Sequence, residues 1–253
     1  MGRVYPHRGI RGQPFEIQVL KPSAGARLRA EEVTLTSERH RVRRKPERGR
    51  YDTETINSII DEALICHLGF TNEQGHPVVI PTIHARDGDV LYLHGSPASR
   101  MLRMLGSGAD VCVTMTLVDG LVLARTVFHH SLNYRSVVVF GRARVIDDVD
   151  EKLRAMHRVT EHILPGRWDE VRQPNAKEIA GTAIVRVDLS EASAKVRTGP
   201  PLDEEDPLTS TSWAGVIPLR LTPGAAIKDE QVPDAIPFPA SARDLERAPR
   251  YRR

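Results

Sequence analysis

The segment with the most chemistry in it is LYLHGSPASRMLRML, residues 91–105. A strand-like apolar run ends at His94-Gly95, Ser96 follows at a helix N-cap position and Pro97 in the first turn, and Met101, Leu102 and Leu105 recur at helical spacing. The first amides of such a helix lack intrahelical acceptors and lie at the positive end of its dipole. With Ser96, Ser99 and Arg100 in reach of the same spot, the turn is a candidate phosphate anchor. A purely structural cap would use the same residue types.

Other polar groups stand at strand ends. Tyr134-Arg135-Ser136 opens a run continued by Val137 to Phe140, so Arg135 could approach the same anion or face water. Lys195 and Arg197 alternate onto one side of the last strand, where two cations need acceptors or solvent. Trp213, one of two tryptophans, could cover a planar ligand or pin the tail to the core. Ten histidines raise a metal site, but His157 and His162 are five apart on a helix, and adjacent His129 and His130 point to opposite sides of a strand. His67, His84 and His94 fall on separate strands, with His84 or His94 the candidate if one acts. No metal site is expected. Gly106-Ser107-Gly108 follows a helix and lacks the third glycine of a dinucleotide fingerprint. Cys66 and Cys112 sit inside apolar runs, as buried thiols of a reducing compartment do.

These residues need a scaffold, and the pattern between the tails is mostly β. Asp52 to Ala63 reads as a helix capped by Asp52 or Thr53, with Ile56, Ile59 and Ile60 on one face. ALICHLGF and HPVVIPTIHAR flank the turn TNEQG, Asp87-Gly88 signals a hairpin into DVLYLHG, and Asp119-Gly120 signals another between DVCVTMTLV and LVLART. YRSVVVFGRARVID follows, then a helix capped by Asp148 or Asp150, a short helix near Ala176 to Ile179, and TAIVRVDLSEASAKVR. About six antiparallel strands and three helices suggest a small barrel or curled sheet with helices at its side.

Composition sets the outer bounds. The chain has 253 residues, 40% hydrophobic and 27% charged, which fits a globular protein. No run approaches the roughly 20 apolar residues of a spanning helix, so a soluble, cytoplasmic protein is expected. Net charge is only +3, and nucleic acid is not an expected partner. Residues 1–45 read as a flexible basic arm, since Glu38 to Arg50 carries seven basic against two acidic residues. Residues 46–220 hold the folded domain, and 221–253, with five prolines, read as a tail without a core of its own.

The order ALICHLGF, HPVVIPTIH, LYLHGSPASR, DGLVLAR, NYRSVVVFGRA and SAKVR…WAGVIPL resembles the flavin-nucleotide-binding proteins of the pyridoxamine 5′-phosphate oxidase-related superfamily, in the branch of the nitroimidazole-resistance proteins. The resemblance spans about residues 40–220. It implies an FMN-binding split β-barrel, mainly β with flanking helices, and a homodimer with FMN between subunits. It also implies that Ser99 and Arg100, with Ser96, Gly95 and His94, clamp the FMN phosphate, and that Val79, Ile80, Pro81 and Thr82 carry the ring along a strand edge. Arg135 and Ser136 would approach from the partner subunit, Lys195 and Arg197 would add a cation, and Trp213 would lie near the flavin. The HPVVIPT strand lacks the basic pair of true pyridoxamine-phosphate oxidases, so the resemblance does not extend to vitamin-B6 oxidation. An FMN-dependent oxidoreductase acting on a small organic substrate is the expected function; a non-catalytic carrier of flavin, haem or a deazaflavin is the alternative. Catalytic residues are left unassigned, because hydride chemistry belongs to the flavin.

Overall fold

A computed structural model describes residues 37–202, 211–243 and 245. The arm over residues 1–36, the acidic run Asp203 to Asp206 and the last residues of the tail lie outside the described residues.

The elements are β1 (Gly49–Arg50), α1 (Thr53–Glu62), β2 (Cys66–Thr71), β3 (Pro77–Thr82), β4 (His84–Asp87), β5 (Val90–Gly95), α2 (Arg100–Gly106), β6 (Asp110–Leu123), β7 (Ser131–Arg142) and β8 (Arg144–Val145). There follow α3 (Val149–Ile163), α4 (Ala176–Ala180), β9 (Ala183–Asp188), β10 (Glu191–Arg197), β11 (Gly215–Pro218) and α5 (Ala240–Arg243). Asp52 caps α1 by accepting from the Thr55 amide, and Asp148 caps α3 through the Glu151 amide. Short strands such as β1, β8 and β11 carry too few residues to display a period, which is why about six were expected and eleven are found among the described residues.

Two antiparallel sheets share one core. The larger runs β1-β10-β7-β6-β2-β3 with β11 also on β6, and the smaller runs β4-β5-β9-β8. Leu68, Val113, Met115, Val137 and Val139 of the first face Leu91, Leu93, Val185 and Val187 of the second, and Ile59, Ile60, Leu102 and Leu105 from α1 and α2 close the ends. Among the described residues no ladder joins the two sheets, so this is the expected split barrel, mainly β with flanking helices. The chain crosses between sheets at Ala143, which is buried. A second, smaller core of Tyr92, Ile146, Ala155 and Ile184 lies between the outer face of the small sheet and α3.

Two expectations change on the structure. Asp119-Gly120 is no hairpin: β6 continues through it from Asp110 to Leu123, with a register shift against β7 between Val118 and Gly120. A bulge re-aims one side chain and sharpens local twist. Here it turns Asp119 toward Arg135, while Gly120 lies so close to β11 that a Cβ would sit 3.0 Å from the Ile217 carbonyl. The basic run Glu38 to Arg50, expected as an exposed arm, is built onto β10. Arg39 pairs with Glu191 and lies over the Phe140 ring, His40 is buried, and β1 adds an edge strand to β10.

Gly141 marks where β7 passes the small sheet, because a Cβ there would lie 2.9 Å from Val187 Cγ1. Gly141→Leu should cost about 1–3 kcal/mol by overpacking. Urea denaturation would measure it, with an unchanged midpoint as the contrary result.

Candidate functional site

The turn and helix expected after β5 are present, but the helix starts later than expected: α2 begins at Arg100 with Ser99 as its N-cap, and Ser96 and Pro97, expected as cap and first helical residue, lie in the turn before it. The Ser99 amide donates to the Ser96 carbonyl at 2.9 Å, the Ala98 amide donates to Ser96 Oγ at 3.2 Å, and Ser99 is the N-cap of α2 but makes no side-chain cap bond. Arg100 and Ser96 are exposed, and Arg100 forms no ion pair or hydrogen bond among the described residues. The amides of Arg100, Met101 and Leu102 begin the helix and have no intrahelical acceptor. Gly95 sits beneath, where a Cβ would meet Leu102 at 3.1 Å. Two hydroxyls, a guanidinium unpaired among the described residues and amides without intrahelical acceptors therefore lie along one short turn, which suits a phosphate.

The other cations are engaged within the chain. Arg135 gives paired hydrogen bonds to Glu62 at 2.5 and 2.8 Å and to Asp119 at 2.8 and 2.9 Å. Burial works against its charge, but the two carboxylates outweigh that and hold its pKa well above the ordinary arginine value. Ser136 donates to the Lys195 carbonyl, and Lys195 Nζ donates to the Arg44 carbonyl at 2.9 Å. Buried Arg197 donates to Asn133 and to the carbonyls of Gly199 and Pro200. Burial pulls its pKa down, with Arg48 adding repulsion. Glu62, Asp119 and Arg135 line a groove of about 400 Å³ with Ile65, Leu219 and Leu221. The sequence signal missed here was the continuous β alternation running through Asp119-Gly120.

β3 is the free edge of the large sheet among the described residues. Pro77 and Pro81 have no N–H to give β2, so the ladder runs through Val78, Ile80 and Thr82. The outward positions 77, 79 and 81 then offer one N–H, that of Val79, against three carbonyls. Val79 is 65% exposed, an apolar side chain on an open edge. Beside it the outer sheet face is low: Gly69 opposes Val79, and exposed His67 stands between Pro81 and Thr114. Trp213, also exposed, lays its indole over Gly215 at the start of β11.

The histidines separate. His84 is fully buried, donates to the Ile60 carbonyl and lies 4.7 Å from the His162 ring, a core position. His94 faces away from the phosphate turn, into a cavity beneath α3 that none of Gly95, Ser96, Ser99 or Arg100 lines. No group of three potential metal-binding side chains occurs among the described residues. Nor is any described helix long and apolar enough to cross a membrane.

This arrangement has known counterparts. Residues 52–196 match the pyridoxamine 5′-phosphate oxidase family model, and the chain belongs to that family. Its structure is similar to flavocytochrome Anf3 of Azotobacter vinelandii, with 40% identity and a TM-score of 0.76 over 81% of this chain and 95% of that one. It is also similar to the FAD and haem binding protein of Mycobacterium smegmatis, with 33% identity and a TM-score of 0.75 over 78% and 97%. A candidate 5-nitroimidazole antibiotic resistance protein of Bacteroides thetaiotaomicron is 26% identical, with a TM-score of 0.51 over 58% and 86%. No curated protein matches significantly in sequence.

Two outcomes follow from the site's electrostatics. Arg135→Lys should lose about 1–3 kcal/mol of stability, since one ammonium cannot fork to two carboxylates; a neutral result in denaturant would remove Arg135 as the clamp. Burial lowers the pKa of His94 below its ordinary value of 6.5, so the unfolded chain takes up that proton more readily. Stability owed to neutral His94 is fully present above pH 6.5 and lost as pH falls through and below it. Unfolding free energy measured from about pH 5 to 8 should therefore vary less in His94→Gln than in the parent chain.

Proposed function

We propose that this chain is a redox protein that binds flavin and haem together as a homodimer, with FAD the favoured flavin. The observation that carries this reading is the pair of relatives at 40% and 33% identity, aligned over nearly their whole length, one a flavocytochrome and the other an FAD and haem binding protein. FMN, expected from the sequence, would use the same phosphate anchor and remains the outcome to test against.

Ser96, Ser99, Arg100 and the open amides above Gly95 would hold a flavin phosphate. Val79 to Thr82 would carry the ring, with the lone outward N–H of Val79 as a donor and Trp213 as a cover. Arg135 is assigned a positioning role, fixing α1 to the bulged β6 and so shaping the groove lined by Leu219 and Leu221. Lys195 and Arg197 hold chain segments against β10 in the same way. His67 is the residue that would hold a haem iron, because its imidazole has no partner among the described residues and Gly69 leaves the sheet flat beside it. Bound flavin supplies one- and two-electron transfer and haem one-electron transfer; the chain supplies anchoring, a flat support and exclusion of water.

Purified protein should be coloured, with flavin and Soret bands, and acid extraction followed by chromatography would tell FAD from FMN. Colourless protein that takes up neither flavin nor haemin would end this reading. Arg100→Ala should weaken flavin binding by about 1.5–3 kcal/mol, and His67→Ala should lose the Soret band while keeping flavin. Reduction by NADH or NADPH followed by reoxidation with an organic acceptor separates an oxidoreductase from a carrier.

A further inference from the structure

The cavity beneath α3 is unrelated to the phosphate turn. It occupies about 290 Å³ between the outer face of the small sheet, α3 and the segment leading to α4. Met156, Val159, Trp168 and Val171 form apolar walls, and Thr160, Thr182 and His94 are the polar groups inside. His94 Nδ1 is buried and has no hydrogen-bond partner among the described residues. A buried polar atom left unpaired costs stability and calls for an explanation. The two threonines are already committed as donors, Thr160 to the Met156 carbonyl and Thr182 to the Glu178 carbonyl, so each offers only lone pairs.

The walls are held in place before any ligand arrives. His157 packs edge-on against Trp168 at 5.2 Å, the Trp168 amide donates to Glu161, and Gln173 donates to the Trp168 carbonyl. At the mouth, Arg172 grips Glu178 through two bonds of 2.6 and 3.0 Å, and Glu178 also closes the capping box of α4 with Asn175. A charged ligand would have to break that pair or sit against apolar walls, so the cavity selects against net charge. Burial keeps the imidazole toward its neutral form, able to give or accept one hydrogen bond according to tautomer. The volume is at the low end of the roughly 300–1,000 Å³ usual for ligand pockets, enough for one or two rings.

We propose that this cavity is a second binding site, taking an uncharged one- or two-ring compound with an oxygen substituent, the carbonyl of a quinone or the hydroxyl of a phenol, that bonds to His94 while the ring lies between Trp168, Met156 and Val159. The assignment does not depend on which cofactor the phosphate turn holds.

Three shape-matched or closely sized probes test it by ligand-observed NMR titration of the protein as purified: duroquinone, thymol and oxygen-free durene. Duroquinone has no open ring position for the thiols of Cys66 or Cys112 to attack. At least one oxygenated probe should bind at a single site, more tightly than durene, and about fivefold more weakly to His94→Phe. The cofactor spectrum of the same samples should be unchanged, which separates failure at this site from failure of the flavin and haem reading. Val171→Trp, at a half-exposed rim position, should also weaken binding by blocking the mouth. That variant carries the test if His94→Phe does not fold. Absence of binding by both oxygenated probes, durene binding as tightly as they do, or affinity unchanged in the variants would overturn the proposal.

Discussion

The guanidinium of Arg135 lies between the carboxylates of Glu62 and Asp119, and much of the architecture is arranged so that the three can meet. Glu62 ends α1, Asp119 sits on the bulge of β6 and Arg135 comes from β7, so one planar cation ties a helix to two strands. A guanidinium fork suits this task because it satisfies two carboxylates at fixed angles where a lysine could satisfy only one well. The bulge that delivers Asp119 also bends β6, so that its first half pairs with β2 and its second half with β11. β11 in turn leads into the Leu219–Leu221 wall of the groove. Local irregularity, ion pairing and the shape of the groove are thus one connected feature.

How much of this was legible beforehand depended on whether a feature showed in local periodicity. The Asp52 cap of α1, the capped and apolar-faced α3, the β2–β3 hairpin and the β5–α2 turn all carry their signals within a few neighbouring residues, and they formed. Asp119-Gly120 misled because the same dipeptide serves a turn or a bulge, and only the pairing partner decides. The basic run at Glu38 to Arg50 reads as solvated because its partners, Glu191 accepting from Arg39 and Lys195 donating to the Arg44 carbonyl, are distant in sequence. The same holds for Arg135, Lys195 and Arg197: their types invite an anion, while Glu62, the Arg44 carbonyl and Asn133, which engage them, are distant in sequence. Within the candidate site, Ser96, Ser99 and Arg100 were readable as one turn. The separation of His94 from that turn was not, because alternate strand positions face opposite sides and the covering helix lies more than fifty residues away.

The two sides of the small sheet play different parts as a result. Its inner face completes the main core with Leu91, Leu93, Val185 and Val187, leaving little room for variation in size. Its outer face has a thinner cover of α3, the turn at Trp168–Glu170 and α4, over a small cluster of buried residues. Cavities form more readily under such thin layers, where a few side chains must fill the space between curved surfaces.

The proline pattern of β3 has a bearing on the protein's behaviour in a crowded solution. An open strand normally invites any passing extended chain to extend the sheet, and apolar Val79 would strengthen that invitation. Pro77 and Pro81 withhold two of the three donors a neighbouring strand would seek, so an incoming chain finds acceptors and almost nothing to accept from. Spontaneous stacking of copies into fibrillar assemblies is thereby discouraged, while a flat molecule able to use one donor and an apolar surface is still welcome at the same margin.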